Sequence, residues 1–169
     1  MTERDGEHVP RRAPQQGASL VCRVATRICA LPVGTGIGGV TGGVIEIMRP
    51  LPLEPIAGAP AFVAGLAIIR GEPVPVVDAA RLLGADPGRP RRFIMLRTAP
   101  RPVALAVDAV LGVHRLAAEQ LVALPALADA LAGEVVAAVG ALDARLLIVL
   151  EAARLVPPAV FALVERTAS

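Results

Sequence analysis

Apolar residues in this chain fall into short runs separated by turn-forming residues, a pattern of strands and hairpins. Residues 66–69 and 74–77 are largely β-branched, and Gly71-Glu72-Pro73 between them supplies turn chemistry, so residues 63–78 predict a hairpin. Pro75 removes one ladder donor, which places the second strand at an edge or turns that side to solvent or a partner. Upstream, residues 20–24 and 27–33 predict a hairpin about Ala25-Thr26, with Cys22 facing Cys29. Residues 44–48 fit a strand or one helical turn, and residues 49–60 a proline-rich turn. Asp78 is a good N-cap for a two-turn helix over 77–83 that Gly84 stops.

Residues 85–92 read as a loop, and 93–96 with 103–107 as a hairpin around Pro100-Arg101-Pro102, with a strand continuing over 108–113. The Ala/Leu-rich stretch 116–131, interrupted by Pro125, predicts a helical turn and a second short helix. Residues 134–142 and 145–150 form a last hairpin about Asp143-Ala144, followed by a short helix over 151–155. Pro157-Pro158 stops that helix, and 159–166 fits a final surface helix in a C-terminal tail, 157–169. Residues 1–17, polar and aperiodic, read as a disordered leader. About nine strands with short turns argue for a closed or paired β-barrel rather than a parallel α/β sheet.

Composition narrows the function. A chain of 169 residues can bury one good core or two small ones sharing a wall, and its only aromatics are three Phe. All 17 basic residues are Arg, against 15 acidic ones, so the net charge of +2 does not imply nucleic acid. The densest basic stretch (Arg89, Arg91, Arg92, Arg97 and Arg101) holds one aromatic, Phe93, and three prolines, as a solvated loop would. No signal peptide is recognisable, and the uncharged runs 28–45 and 55–69 carry proline and glycines unsuited to a membrane helix. The expectation is a cytoplasmic protein without membrane insertion.

Candidate chemistry is sparse. His8 and His114 lack ligand neighbours, no Cys-x-x-Cys occurs, and Cys22 and Cys29 read as reduced core residues, so no metal site is expected. Gly34, Gly36 and Gly39 carry the letters of a dinucleotide fingerprint after a strand, but only six residues separate the glycine-rich run 34–43 from Pro50. The required helix does not fit, and a flexible loop is the reading. A small enzyme or nucleotide-binding barrel would also need a nucleophile with its base, a phosphate-binding lysine or a metal cluster, and none is found, so no catalytic residue and no cofactor are expected. Glu46, alone in an apolar segment, is a solvent-facing residue or a partner contact. Arg70 and Asp78 close the central apolar block with opposite charges, and Arg70 is either buried and paired with Asp78 or another acid, or an exposed contact.

The order of these pieces resembles the CheW-like domain, the adaptor of bacterial chemosensory arrays. The matching pieces are Ala30-Leu-Pro-Val33, Val44-Ile-Glu-Ile47, the approach from Pro60 to Gly65 leading into Ile69-Arg-Gly71, Val74-Pro-Val-Val-Asp78, Ala106-Val-Asp-Ala-Val110 and the strand 146–150, within a domain over 18–156. The resemblance implies two small five-stranded β-barrels sharing a hydrophobic seam, with a few short helices and no enzymatic activity. It implies a chemotaxis signal-transduction scaffold that bridges a chemoreceptor's cytoplasmic tip and the regulatory domain of a CheA-type histidine kinase. On it, Val44, Glu46 and Ile47 would be receptor-facing, Gly65 would lie near the groove between barrels, Arg70-Gly71 would be the coupling motif, and Asp78 and Asp108 would be structural. A variant of the same reading is a scaffold for a non-chemotactic kinase pathway. The chain departs from the family pattern in the glycine-rich decamer, in Cys22 and Cys29 where aromatics are common, and in Ala79-Ala80.

Overall fold

The hairpins are set by backbone sign. In the computed structural model, which describes residues 17–33, 43–123 and 135–168, two-residue turns at Ala25-Thr26, Arg70-Gly71 and Asp143-Ala144 join three pairs of antiparallel strands. Ala25 (φ 53°), Arg70 and Gly71 (54° and 80°), and Asp143 and Ala144 (48° and 61°) adopt the positive φ that matches the twist of the flanking strands. The turn expected at Gly71-Glu72-Pro73 is therefore displaced. A proline ring fixes φ negative, so Pro73 cannot sit in such a turn, and Glu72 and Pro73 instead open the second strand.

Eleven strands lie within the described residues: β1 (Gly17–Val24), β2 (Arg27–Pro32), β3 (Gly43–Met48), β4 (Val63–Ile69), β5 (Glu72–Asp78), β6 (Arg92–Arg97), β7 (Val103–Val107), β8 (Ala109–Leu116), β9 (Leu121–Ala123), β10 (Val136–Leu142) and β11 (Arg145–Leu150). They form two mixed sheets, a six-stranded one in the order β8-β1-β2-β11-β10-β9 and a five-stranded one in the order β3-β6-β7-β5-β4. Each contains one parallel pair, β2 with β11 and β5 with β7. The expected count of five strands per unit thus becomes six and five, and no ladder between described residues joins the outer strands of either sheet.

Each sheet buries apolar residues on both of its faces. One face of each contributes to a shared seam, with Leu20, Leu31 and Leu150 from the first sheet meeting Ile94, Leu96 and Leu105 from the second. The opposite face of the five-stranded sheet packs only on itself, through Ala67, Ile69, Val74, Val76, Phe93 and Met95. The six-stranded sheet does the same through Val21, Ile28, Ala30, Ala138, Leu147 and Val149. A sheet that buries its second face with its own side chains has to curl. The continuous apolar strands β5 to β7 are the sequence's signature of that double burial.

β5 is an interior strand, yet Pro75 costs no ladder bond. Leu66, its partner on β4, gives both its N–H and its C=O to Glu54, so the Leu66–Pro75 pair is not a hydrogen-bonded one and the proline nitrogen faces away from β4. Pairing with β7 begins only at Val76.

Among the described residues, two α-helices accompany the strands. α1 (Ala79–Leu82) is a single turn, capped by Asp78, whose Oδ1 accepts from the Ala80 and Arg81 amides at 3.0 and 3.2 Å. α2 (Pro158–Thr167) begins one residue before the expected 159, with proline in its first turn, and it is not merely superficial. Val160, Phe161 and Val164 are buried in the seam. The helices expected over 116–131 are corrected within the described part: β8 runs to Leu116, a 3-10 turn covers Ala118–Gln120 and β9 follows. Pairing with β10 overrides the helical preference of Leu and Ala there. The remainder of that stretch, the leader before Gly17 and the glycine-rich run before Gly43 lie outside the described residues.

Cys22 and Cys29 face each other across the first hairpin, both free and fully buried in the seam. Burial pushes both thiols up, Cys22 further still through its neighbour Cys29, and Cys29 to about 12 despite the opposing pull of Arg27. With the folded values raised, stability from the neutral thiols is complete below the unfolded value of 9.0 and is lost as pH rises past it. Between pH 8 and pH 10 the melting temperature is expected to fall further for the parent than for the Cys22→Ala, Cys29→Ala double variant. Equal slopes would overturn this.

Candidate partner-docking surface

β3 alternates along its length. Ile45 and Ile47 stand out on one face, while Met48 on the other packs on the cluster of the five-stranded sheet and Val44 packs on the seam. A bulge between Val44 and Glu46 shifts the register, so that Val44 pairs with Leu96 on the seam side while Glu46 pairs with Met95 on the opposite face, the face of Met48. Glu46 then reaches the far edge of the sheet, where its Oε2 accepts from Arg70 Nη2 at 2.6 Å. Of the readings open for Arg70, the structure shows an exposed side chain paired with an acid other than Asp78. Asp78 lies at the opposite end of β5, where it caps α1 and meets Arg81 at 3.7 Å.

Arg70 is held in the left-handed region, which a long side chain rarely adopts, and its side chain is 74% exposed against 37% for Glu46. Gly71 shares the turn, with open space around it. The ion pair therefore ties the β4–β5 turn to the edge strand β3. A second tie lies further along. The segment leaving β3 lays Glu54 against Leu66 on the outer edge of β4, with reciprocal backbone bonds of 2.8 and 2.7 Å. Gly65, buried at a bulge in β4 with φ 150°, makes room for it: a methyl group there would stand 2.5 Å from the Glu54 carbonyl oxygen.

The segments drawn together in this way carry exposed apolar side chains, Ile45 and Ile47 on β3, Leu51 and Leu53 on the connection and Ile68 on β4. Ile68 is 59% exposed although its neighbours Ala67 and Ile69 are buried. Such a cluster rimmed by a few charges has the composition of a protein interface rather than of a reaction centre. Among the described residues no group of His, Cys, Asp or Glu could hold a metal ion, and no helix is long and apolar enough to cross a membrane.

Of the residues singled out in the sequence, the fold unites Glu46, Arg70 and Gly71 and exposes Ile47 beside them. Val44 turns towards the seam, and Gly65 lies under the Glu54 backbone. Asp108 is remote from this surface: it stands where the chain passes from β7 in one sheet to β8 in the other, and its Oδ2 accepts from the Ala25 amide at 2.6 Å. Ile45, Leu51, Leu53 and Ile68 were missed. Period-two reading of β3 would have found Ile45, whereas the apolar run 66–69 conceals Ile68, since Leu66 two residues before it is buried.

The family model of the CheW-like domain matches residues 18–159. A chemotaxis protein CheW of Klebsiella aerogenes is 35% identical over 117 residues, covering 67% of this chain and 70% of that protein. A chemotaxis protein CheW of Thermotoga maritima is 34% identical over 77 residues, 44% of this chain and 51% of that one. In three dimensions the chain is similar to the scaffolding protein TtCheW of Thermoanaerobacter tengcongensis, with a TM-score of 0.68 at 19% identity over 83% of this chain and 92% of that one. Two mixed sheets about one seam, an exposed apolar surface around Glu46 and Arg70, and a match over most of the sequence lead to one conclusion: the chain belongs to the CheW-like domain family.

Proposed function

We propose that this protein is a cytoplasmic, non-enzymatic adaptor that couples chemoreceptors to the regulatory domain of a CheA-type histidine kinase. The observation that carries the reading is the family match over 18–159. The surface around Glu46 and Arg70 supplies its chemistry: Ile45, Ile47 and Ile68 offer apolar area to a helical hairpin, and the two charges fix its register. In this reading each sheet is a small barrel. Closure of the five-stranded one rests on the Glu54–Leu66 bridge and the Arg70–Glu46 pair, and Gly65 acts on docking through that closure.

Isothermal titration against the kinase regulatory domain and against a receptor tip hairpin, both from the same genome, tests the proposal. One-to-one micromolar binding to each is expected, and a folded sample that binds neither overturns it. Because the Arg70–Glu46 pair is exposed, Arg70→Ala is expected to change unfolding stability by less than about 1 kcal/mol. Receptor affinity should fall by about tenfold or more, the loss seen when a central interface residue is truncated. A large stability loss with unchanged affinity would assign Arg70 to the fold instead.

A further inference from the structure

The β1–β2 turn is gripped from several sides. Ala25 sits at φ 53°, a position where glycine is usual, so the turn is strained on its own and needs external support. Asp108 supplies it twice, its carboxylate accepting from the Ala25 amide at 2.6 Å and its own amide donating to the Arg23 carbonyl at 3.0 Å. Arg145 donates to the Thr26 carbonyl at 3.1 Å from β11 of the same sheet. Arg27 reaches out of the sheet altogether and donates to the Leu83 carbonyl at 2.8 Å, at the end of α1, which follows β5 of the other sheet.

These contacts differ in kind from the rest of the boundary between the sheets. The seam is aliphatic, built from Leu, Val, Ile and Ala with Phe161 and two thiols, and apolar packing of that sort is not directional. Hydrogen bonds with fixed donors and acceptors are. We propose that Asp108 and Arg27 form a polar clasp that sets the angle between the two sheets, and that both are positioning residues for any partner that spans them. The second half rests on the adaptor reading above, while the first stands without it.

Spin labels at Arg115→Cys on β8 and Arg97→Cys on β6, both exposed, read the angle in the full chain by pulsed electron–electron resonance, since the native thiols are buried. The parent is expected to give one narrow distance. Asp108→Ala should broaden or shift it by several ångströms, Arg27→Met should do the same, and Asp108→Asn, which keeps an acceptor for the Ala25 amide, should restore the parent distribution. A residue that merely stabilised the turn would lower the melting temperature and leave the distance alone, and that result overturns the clasp. Titration with the receptor tip hairpin separates the two halves. A parent that does not bind removes the adaptor reading but not the clasp, whereas a parent that binds and an Asp108→Ala protein with a shifted distance and unchanged affinity removes the positioning role.

Discussion

Gly65→Val is expected to destabilise the protein by about 3 to 5 kcal/mol, combining overpacking with strain at a conformation reserved for glycine. The first side-chain carbon alone would stand 2.5 Å from the Glu54 oxygen and 3.1 Å from its carbonyl carbon, and backbone cannot swing aside as a side chain would. The added side chain must push the Glu54 strand off β4, which breaks the two reciprocal bonds with Leu66 and frees one edge of the five-stranded sheet. Small domains have only about 5 to 15 kcal/mol in total, so the variant would lose a large fraction of its stability. Urea denaturation checks this, with Ala64→Ser at the exposed neighbouring position as the near-neutral control. Equal midpoints for the two variants would refute the packing argument.

Phe161→Ala should cost a comparable amount, about 3 to 5 kcal/mol, for a buried ring replaced by a methyl group. Phe161, Val160 and Val164 are the face by which α2 enters the seam, and Arg101, in the β6–β7 turn, meets Glu165 of the same helix at 3.5 Å. A single cooperative unfolding transition at lower urea is the expected outcome. An unchanged midpoint would mean that α2 is an appendage whose docking contributes nothing to the core.

How much of this was readable beforehand depends on the range of the interaction. Hairpin partners were legible because β-branched runs and their turn residues are close in sequence, and the facing of Cys22 and Cys29 followed from a two-residue turn. The cap at Asp78 was legible for the same reason, since its bonds go two and three residues ahead. The partner of Arg70 stays open in the sequence because its carboxylate comes from β3, across the opening of the sheet, while Asp78 is nearer only along the chain. The turn was misplaced by taking Gly and Pro as punctuation when what mattered was the sign of φ at Arg70 and Gly71. β9 was missed because three residues such as Leu121–Ala123 become a strand only when β10 lies beside them. The candidate surface inherited both kinds of outcome: Glu46, Ile47, Arg70 and Gly71 were named, but Ile68 was hidden in an unbroken apolar run whose direction only the sheet reveals.

The two sheets also differ in how the chain supplies them. β3 to β7 are consecutive, so the five-stranded sheet has all its strands as soon as β7 has been made. The six-stranded sheet is interrupted by them: β1 and β2 come first, and the other flank of β2 is β11, where Ile28 meets Leu147. During synthesis β2 therefore waits with an unpaired backbone edge while the whole of the other sheet emerges, and unpaired edges of this kind recruit other chains. The last strand to leave the ribosome closes the middle of the wider sheet, not its border, so premature termination before β11 would leave a gap at its centre.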